Sequence, residues 1–380
     1  MSLTGTALLA LLIALCTVVV LGTLFLWPSQ VPRRPRSGVR RFMVWLARLL
    51  LIGLCQVTAI AAVAGWINDG FGLYTSWGDL LGTTGKTELT QAGGMAGPPA
   101  ISARFTRGSD GIFTTYFRGH ASHLAGQVRV WTPPQYDEPA YRHSRFPVVM
   151  LLHGVPGSPE SWIEAGGFPH VVKALLAEDR VKPFILVLPV INPGYVDTDC
   201  SDIGPAKNAT WLVKDVRGLV DYRFRTISGP RGWGLMGIST GGLCAAKLPL
   251  QYPDIFRTGV SLDPDAMAGD PDVISQPTAR RLNSPLWLVR HRRPRVSLLL
   301  ATSSGDRSSP PVNIEALRLA ARRPTLVTAL VLASGGHNWH TWQRMYPTVL
   351  PWLSARLPAP ESNAATLGRP SGVPQPVRTL

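Results

Sequence analysis

Gly232-Trp-Gly-Leu-Met-Gly237-Ile-Ser239-Thr-Gly241-Gly242-Leu-Cys244 is the stretch whose reading decides the fold of this 380-residue chain. A short apolar run suited to a buried strand ends at Ile238, a serine follows, and helix-forming residues continue through Ala245-Ala-Lys-Leu248. A serine on a sharp strand-to-helix turn is held out of the sheet within reach of a ligand. Small residues two before and two after it are needed, because that turn crowds its own backbone. An ordinary glycine-rich turn would satisfy the same five-residue pattern, so its meaning depends on the flanking sequence.

Two flanking segments stand where acyl-transfer chemistry wants them. Upstream, Phe146-Pro-Val-Val-Met-Leu-Leu-His153-Gly154 is a buried-strand pattern that opens into a loop able to supply an oxyanion donor. Downstream, Gly335-Gly-His337-Asn-Trp339 follows a second apolar run, and between the two a strand-like segment ends at Asp306. The order is Ser239, Asp306, His337, which is the nucleophile, acid and base order of the α/β-hydrolase fold. His337 is the expected base and Asp306 the expected acid, with Asp263 and Glu315 as alternative acids. Thr240, the residue after the nucleophile, and Val155, which precedes a proline lacking an N–H, are the expected oxyanion-hole donors. Trp162, Trp339 and Trp342 are candidates to line an acyl or carbohydrate pocket, or packing elements of the same loops.

From residue 146 onward, apolar strand patterns at 148–152, 184–190, 232–238, 258–262, 296–301 and 326–332 alternate with helix-like stretches at 168–178, 209–221 and 314–322. That alternation predicts a mostly parallel sheet with helices on both faces and a site at the strands' carboxyl ends. Residues 111–117 and 127–131 alternate as an antiparallel hairpin does, and complete an α/β-hydrolase domain over 101–357. Residues 68–100, rich in Gly and Thr, read as a juxtamembrane linker, and the Pro-rich residues 358–380 as a disordered tail.

The first seventy residues hold an excess of hydrophobicity. Two apolar runs, about 7–27 and 46–67, are each long enough to cross the ~30 Å hydrocarbon core as a helix. Arg33, Arg34, Arg36, Arg40 and Arg41 lie between them and no basic residue precedes the first. The positive-inside rule then sets this loop in the cytoplasm and the large domain outside a cell membrane. A cleaved signal peptide fits less well, since the basic leader is missing and the run is too long. Two of the four cysteines, Cys16 and Cys55, fall in these runs, which leaves Cys200 and Cys244 as a candidate disulfide or a pair of free thiols. The net charge of +15 reads as scattered along the chain, and without a recognisable nucleic-acid motif it gives no nucleic-acid partner. No metal-ligand spacing or phosphate-cradling loop is evident, so neither a metal nor an organic cofactor is expected.

Over about residues 111–357 the chain resembles the esterase family that includes esterase D (S-formylglutathione hydrolase) and the antigen 85 mycolyltransferases. The residues that carry the likeness are Leu-Leu-His153-Gly154, Gly237-Ile-Ser239-Thr-Gly241-Gly242 and Gly335-Gly-His337-Asn-Trp339-His-Thr-Trp342. Asp-Thr-Asp199-Cys200 together with Ser239-Thr-Gly-Gly-Leu-Cys244 further resembles membrane-anchored actinobacterial members. The resemblance implies catalytic roles for Ser239 and His337; it gives no match for the acid. The resulting expectation is a membrane-tethered extracytoplasmic serine esterase or acyltransferase. It would act on carboxylic esters, among them envelope lipids, with the lipid bilayer as its other partner. A hydrolase fold retained for binding or assembly is the alternative.

Overall fold

A computed structural model of the chain describes residues 6–29, 38–71 and 103–362. The centre of the arginine-rich loop, most of the expected linker and the tail beyond residue 362 lie outside the described residues. The chain divides into two compact units.

The amino-terminal unit is a pair of helices, α1 (Thr6–Ser29) and α2 (Gly38–Phe71), packed against one another. Their apolar stretches, Ala7–Phe25 and Phe42–Asn68, are each long enough to cross a bilayer. Threonines inside these helices return their hydroxyls to carbonyls one turn back, as Thr17 does to Ile13 and Thr58 to Leu54. Those threonine hydroxyls are satisfied within the helices, with no need of water. Helix α2 starts earlier than its apolar core, because no proline interrupts the sequence from Gly38.

The second unit is built on a nine-stranded sheet. Its strands are β1 (Thr106–Arg107), β2 (Phe113–Arg118), β3 (Ala125–Trp131), β4 (Val148–Leu152), β5 (Ile185–Pro189), β6 (Trp233–Ile238), β7 (Thr258–Leu262), β8 (Ser297–Ser303) and β9 (Leu326–Leu332). Their spatial order is β1-β2-β3-β5-β4-β6-β7-β8-β9. The first three are joined antiparallel, and the six from β5 to β9 run parallel. Strands β4 to β7 are buried along their whole length, which is why they read as unbroken apolar runs. Strand β9 closes the edge and is half exposed, with Leu326 and Val331 turned toward solvent.

Helices α3 (Phe168–Ala177), α4 (Thr240–Gln251), α5 (Pro311–Ala320) and α6 (Trp339–Arg356) follow β4, β6, β8 and β9 in sequence. The chain leaves β4 for β5 on one side and later returns to β6 on the other, so the strand order reverses at β4. Ligands of open parallel sheets bind outside the carboxyl ends at such a point. The elbow serine and His153 both sit there.

Two sequence expectations change here. Glu361–Ser362 pairs antiparallel with Ser144–Arg145, so the chain remains part of the domain for five residues past Leu357. Part of the positive charge is also gathered: no acidic residue lies between Asp272 and Asp306. Arg280, Arg281, Arg290, Arg293 and Arg322 line two adjoining grooves that share Arg290.

Candidate active site

Ser239 occupies the turn between β6 and α4 at φ 54° and ψ −124°, a backbone conformation that costs a non-glycine residue a few kcal/mol at most and persists only under constraint. The constraint is visible in its neighbours. Ser239 N–H donates to Leu262 O on β7 (3.0 Å), and Leu243 N–H returns to Ser239 O (3.0 Å). A side chain at Gly237 would collide with the Gly241 carbonyl, and one at Gly241 with the carbonyls of Leu152 and His153. The elbow motif is thus a close-packing requirement between α4 and two strand ends.

Cys244, on the same helix, is disulfide-bonded to Cys200 with the Cα atoms 5.7 Å apart. The loop that follows β5 is thereby fixed to α4. Beneath the disulfide, Lys247 is fully buried, and its ammonium donates to Asp199 O and to Ser201 Oγ. Burial pushes the Lys247 ammonium down and the Asp199 carboxyl up, and each partner's charge opposes the other's shift.

His337 Nε2 lies 2.9 Å from Ser239 Oγ, and His337 Nδ1 lies 2.9 Å from Asp306 Oδ2. With Asp306 accepting at Nδ1, the ring's free lone pair faces the serine hydroxyl. Asp306 is buried, and its second oxygen accepts backbone N–H groups from Ser308 (2.7 Å) and Ser309 (3.0 Å), which hold the carboxylate oriented. The histidine loop is pinned in turn by Asn338. This residue caps α6 by accepting from Thr341 N–H at 3.0 Å.

Of the alternative acids, Glu315 is tied to Arg318 at 2.6 Å, away from the site. Asp263 is fully buried beside the triad, and its Oδ2 accepts the indole N–H of Trp342 at 2.7 Å. Burial pushes its carboxyl up to about 6, and the neighbouring Asp306 charge adds to that. Asp263, Asp306 and His337 are close enough to suggest a metal cluster. Asp263 Oδ2 is taken by Trp342, and the two Asp306 oxygens by His337 and two backbone N–H groups, which leaves Asp263 Oδ1 as the one carboxylate oxygen of the three residues with no hydrogen-bond partner.

The three tryptophans do not line an open pocket. Trp162, Trp339 and Trp342 are buried in a chain of edge-to-face contacts, 5.4 Å and 5.0 Å between centroids, that ends on the His337 ring at 5.4 Å. Interior packing of α6 against the sheet uses them as a wall behind the base. The turn after β4 does approach the nucleophile: a Cβ on Gly154 would stand 3.1 Å from Ser239 Cβ. Val155 is the next residue. Thr240 opens α4, so its N–H has no acceptor within the helix.

Sequence reading missed two participants. His153 is wholly buried; its Nδ1–H donates to Gly154 O (2.7 Å) and its Nε2 accepts Ile191 N–H (3.1 Å). Burial pushes it down to about 4, against the pull of the Gly154 carbonyl, so it is a neutral strut under the oxyanion turn. The other is Asp265, whose Oδ1 accepts from Ser239 Oγ at 3.2 Å and whose Oδ2 accepts from Thr240 Oγ1 at 2.6 Å. Its only sequence signal is its position three residues past the end of β7.

A parallel sheet of this order, bearing a serine on a strained strand-to-helix turn hydrogen-bonded through histidine to a buried carboxylate, defines an α/β-hydrolase of the serine type. The chain belongs to the family described as "Putative esterase", whose model matches residues 125–353. An uncharacterized protein of Corynebacterium glutamicum is 23% identical over 254 residues, 61% of this chain and 58% of that protein's length. Among solved structures, a ferulic acid esterase aligns with a TM-score of 0.54 at 18% identity, covering 64% of this chain and 97% of its own. An S-formylglutathione hydrolase from Agrobacterium tumefaciens aligns with a TM-score of 0.53 at 17% identity, covering 68% and 99%.

Proposed function

We propose that Ser239 attacks the carbonyl carbon of a carboxylic ester and forms an acyl-enzyme, with His337 as base and Asp306 as its orienting acid. The Oγ–C bond forms as the Oγ proton passes to His337 Nε2. The C–O bond to the alcohol then breaks, and the same proton leaves with the alcohol oxygen. Water repeats the sequence in reverse and frees the acid. The N–H groups of Thr240 and Val155 are assigned to the carbonyl oxygen, where loss of one donor costs about 10²- to 10³-fold in rate. The observation that carries this reading is the Ser239–His337–Asp306 relay, with both links at 2.9 Å.

We also infer that α1 and α2 retain the enzyme in the cell membrane with the catalytic domain on the outer side, so that its esters, envelope lipids among them, are met close to a bilayer. The two apolar helices, the arginines between them and the disulfide support this. Intact-mass analysis of the detergent-solubilised full chain after fluorophosphonate treatment tests the chemistry. One adduct per wild-type chain and none on Ser239→Ala is expected; no adduct on the folded wild type overturns the assignment. Protease added to intact cells is expected to remove the catalytic domain, and complete protection would reverse the topology.

A further inference from the structure

Asp265 supplies a feature that the triad does not require. Ser239 has one hydroxyl proton and two acceptors for it, His337 Nε2 at 2.9 Å and Asp265 Oδ1 at 3.2 Å. The second oxygen of Asp265 is held by the Thr240 hydroxyl at 2.6 Å, and its backbone N–H points to Ser239 O at 3.4 Å, so the carboxylate is fixed in place. Both side-chain partners are neutral. Among the described residues Asp265 makes no ion pair. The nearest buried ammonium, Lys247, is spent on Asp199 O and Ser201 Oγ. Burial chiefly pushes the carboxyls of Asp197 and Asp199 up, and the nearby Asp265 charge adds to both. A chain of net charge +15 therefore sets an uncompensated carboxylate against its own nucleophile.

Left alone, that carboxylate is unhelpful. It draws the hydroxyl proton away from the base, and it faces the oxygen that turns negative in the transition state. Both penalties vanish when a cation occupies Oδ1. An ammonium group two to four bonds from the scissile carbonyl carbon is close enough to reach Oδ1, which lies 3.2 Å from Ser239 Oγ, when that carbon bonds Ser239 Oγ. It leaves the hydroxyl proton to His337 alone.

We propose that Asp265 is a specificity-determining residue that selects esters carrying a protonated amine or quaternary ammonium group next to the scissile bond, on the acyl or the alcohol side. The inference rests on the assignment of Ser239 as nucleophile. A carboxylate this near a bound cation attracts it strongly before solvent screening. Screening at a half-exposed site reduces this to a preference of about tenfold or more.

The test uses the full chain in detergent and two isosteric pairs, each a cation against a neutral ester. Alanine p-nitrophenyl ester against p-nitrophenyl isobutyrate probes the acyl side, and acetylthiocholine against 3,3-dimethylbutyl thioacetate the alcohol side. Wild type is expected to favour the cation in at least one pair by about tenfold in kcat/KM, a preference that shrinks as ionic strength rises from 0.05 to 0.5 M. Asp265→Asn is expected to bring that ratio to about threefold or less and to raise the neutral ester's kcat/KM about two- to fivefold, as the hydrogen bond that competes for the hydroxyl weakens. Equal ratios in wild type and Asp265→Asn, or a wild-type ratio that ignores salt, overturn the proposal. Should Asp265→Asn fail to fold, the salt response of wild type decides. Hydrolysis of the neutral esters that is lost in Ser239→Ala separates the outcomes: where it is present, only the charge preference is at stake, and where it is missing, the nucleophile assignment itself has failed.

Discussion

Strands β6 and β7 lie side by side, with Ile238 opposite Leu262, and each is followed by a residue in a left-handed backbone conformation, Ser239 at φ 54° and Asp263 at φ 39°. The two turns use one backbone device for opposite ends. Around Ser239, glycines let α4 start against the strand ends, and the hydroxyl emerges between His337 and Asp265. Asp263 is followed by a buried proline, and its carboxyl turns inward to take the Trp342 indole. Backbone strain alone therefore does not mark a nucleophile. What separates the turns is whether a base reaches the side chain once the turn has displayed it.

The largest predicted effect tests that separation directly. Ser239→Ala is expected to lower ester kcat by about 10⁶-fold, the scale found when a nucleophile acting as part of a triad is removed, with a melting transition close to wild type. Asp263→Ala is expected to do the reverse. It orphans the buried Trp342 N–H at about 1–3 kcal/mol of stability and keeps most of the rate. Steady-state kinetics and urea melts on both variants decide, and an activity loss in Asp263→Ala equal to that of Ser239→Ala would erase the distinction. The next effect concerns how α4 is held. The Cys200–Cys244 bridge spans a sequence separation of 44, for which the chain-entropy model gives about 4 kcal/mol. Cys200→Ser should lose about that much in a denaturant titration, and a loss under about 1 kcal/mol would mean that packing alone fixes the helix.

Much of this arrangement is legible in the sequence, and for physical reasons. Buried parallel strands are apolar on both faces, so β4, β6 and β7 could be placed almost to the residue, and the half-exposed edge strand β9 by its apolar run. The elbow glycines are required by the backbone, and the strand ends deliver Asp306 and His337 in chain order. What could not be read depends on side-chain direction after a strand has ended. Asp263 and Asp265 differ by two positions in Asp263-Pro-Asp265, yet one is wholly buried and the other touches the nucleophile. The tryptophans had the opposite fate. Their position in the histidine loop suggested a pocket, and the three-to-four-residue spacing of α6 turned Trp339 and Trp342 inward as packing. The arginine-lined grooves are legible only locally, from the lack of acidic residues in 273–305, and not from total charge.

A smaller effect sharpens the account of the elbow. Gly241→Ala adds a methyl against the carbonyls of Leu152 and His153, and overpacking of this kind costs about 1–3 kcal/mol. Because the displaced backbone is the turn that carries Val155, kcat should fall along with stability. Thermal melts and kcat for one variant check both, and a stability loss at unchanged kcat would separate the turn from catalysis.

The smallest effect asks in which ionisation state the Asp263 turn is built. Its carboxyl is pushed up to about 6 from an ordinary 3.8, chiefly by burial. Between those values the unfolded chain has released this proton and the folded chain still holds it. Folding therefore takes up a proton across that window, and the group's contribution to stability falls as pH rises from about 4 to about 6, by at most about 1.4 kcal/mol per pH unit. Asp263→Asn keeps an oxygen for the Trp342 indole and has no proton to release. Urea melts of the two proteins at closely spaced pH values should then diverge, with the asparagine variant gaining on wild type as pH rises through the window. Parallel curves would mean that Asp263 is ionised in the fold. The second turn would then act on the neighbouring His337 as a charge, and its resemblance to the first would extend from backbone to electrostatics.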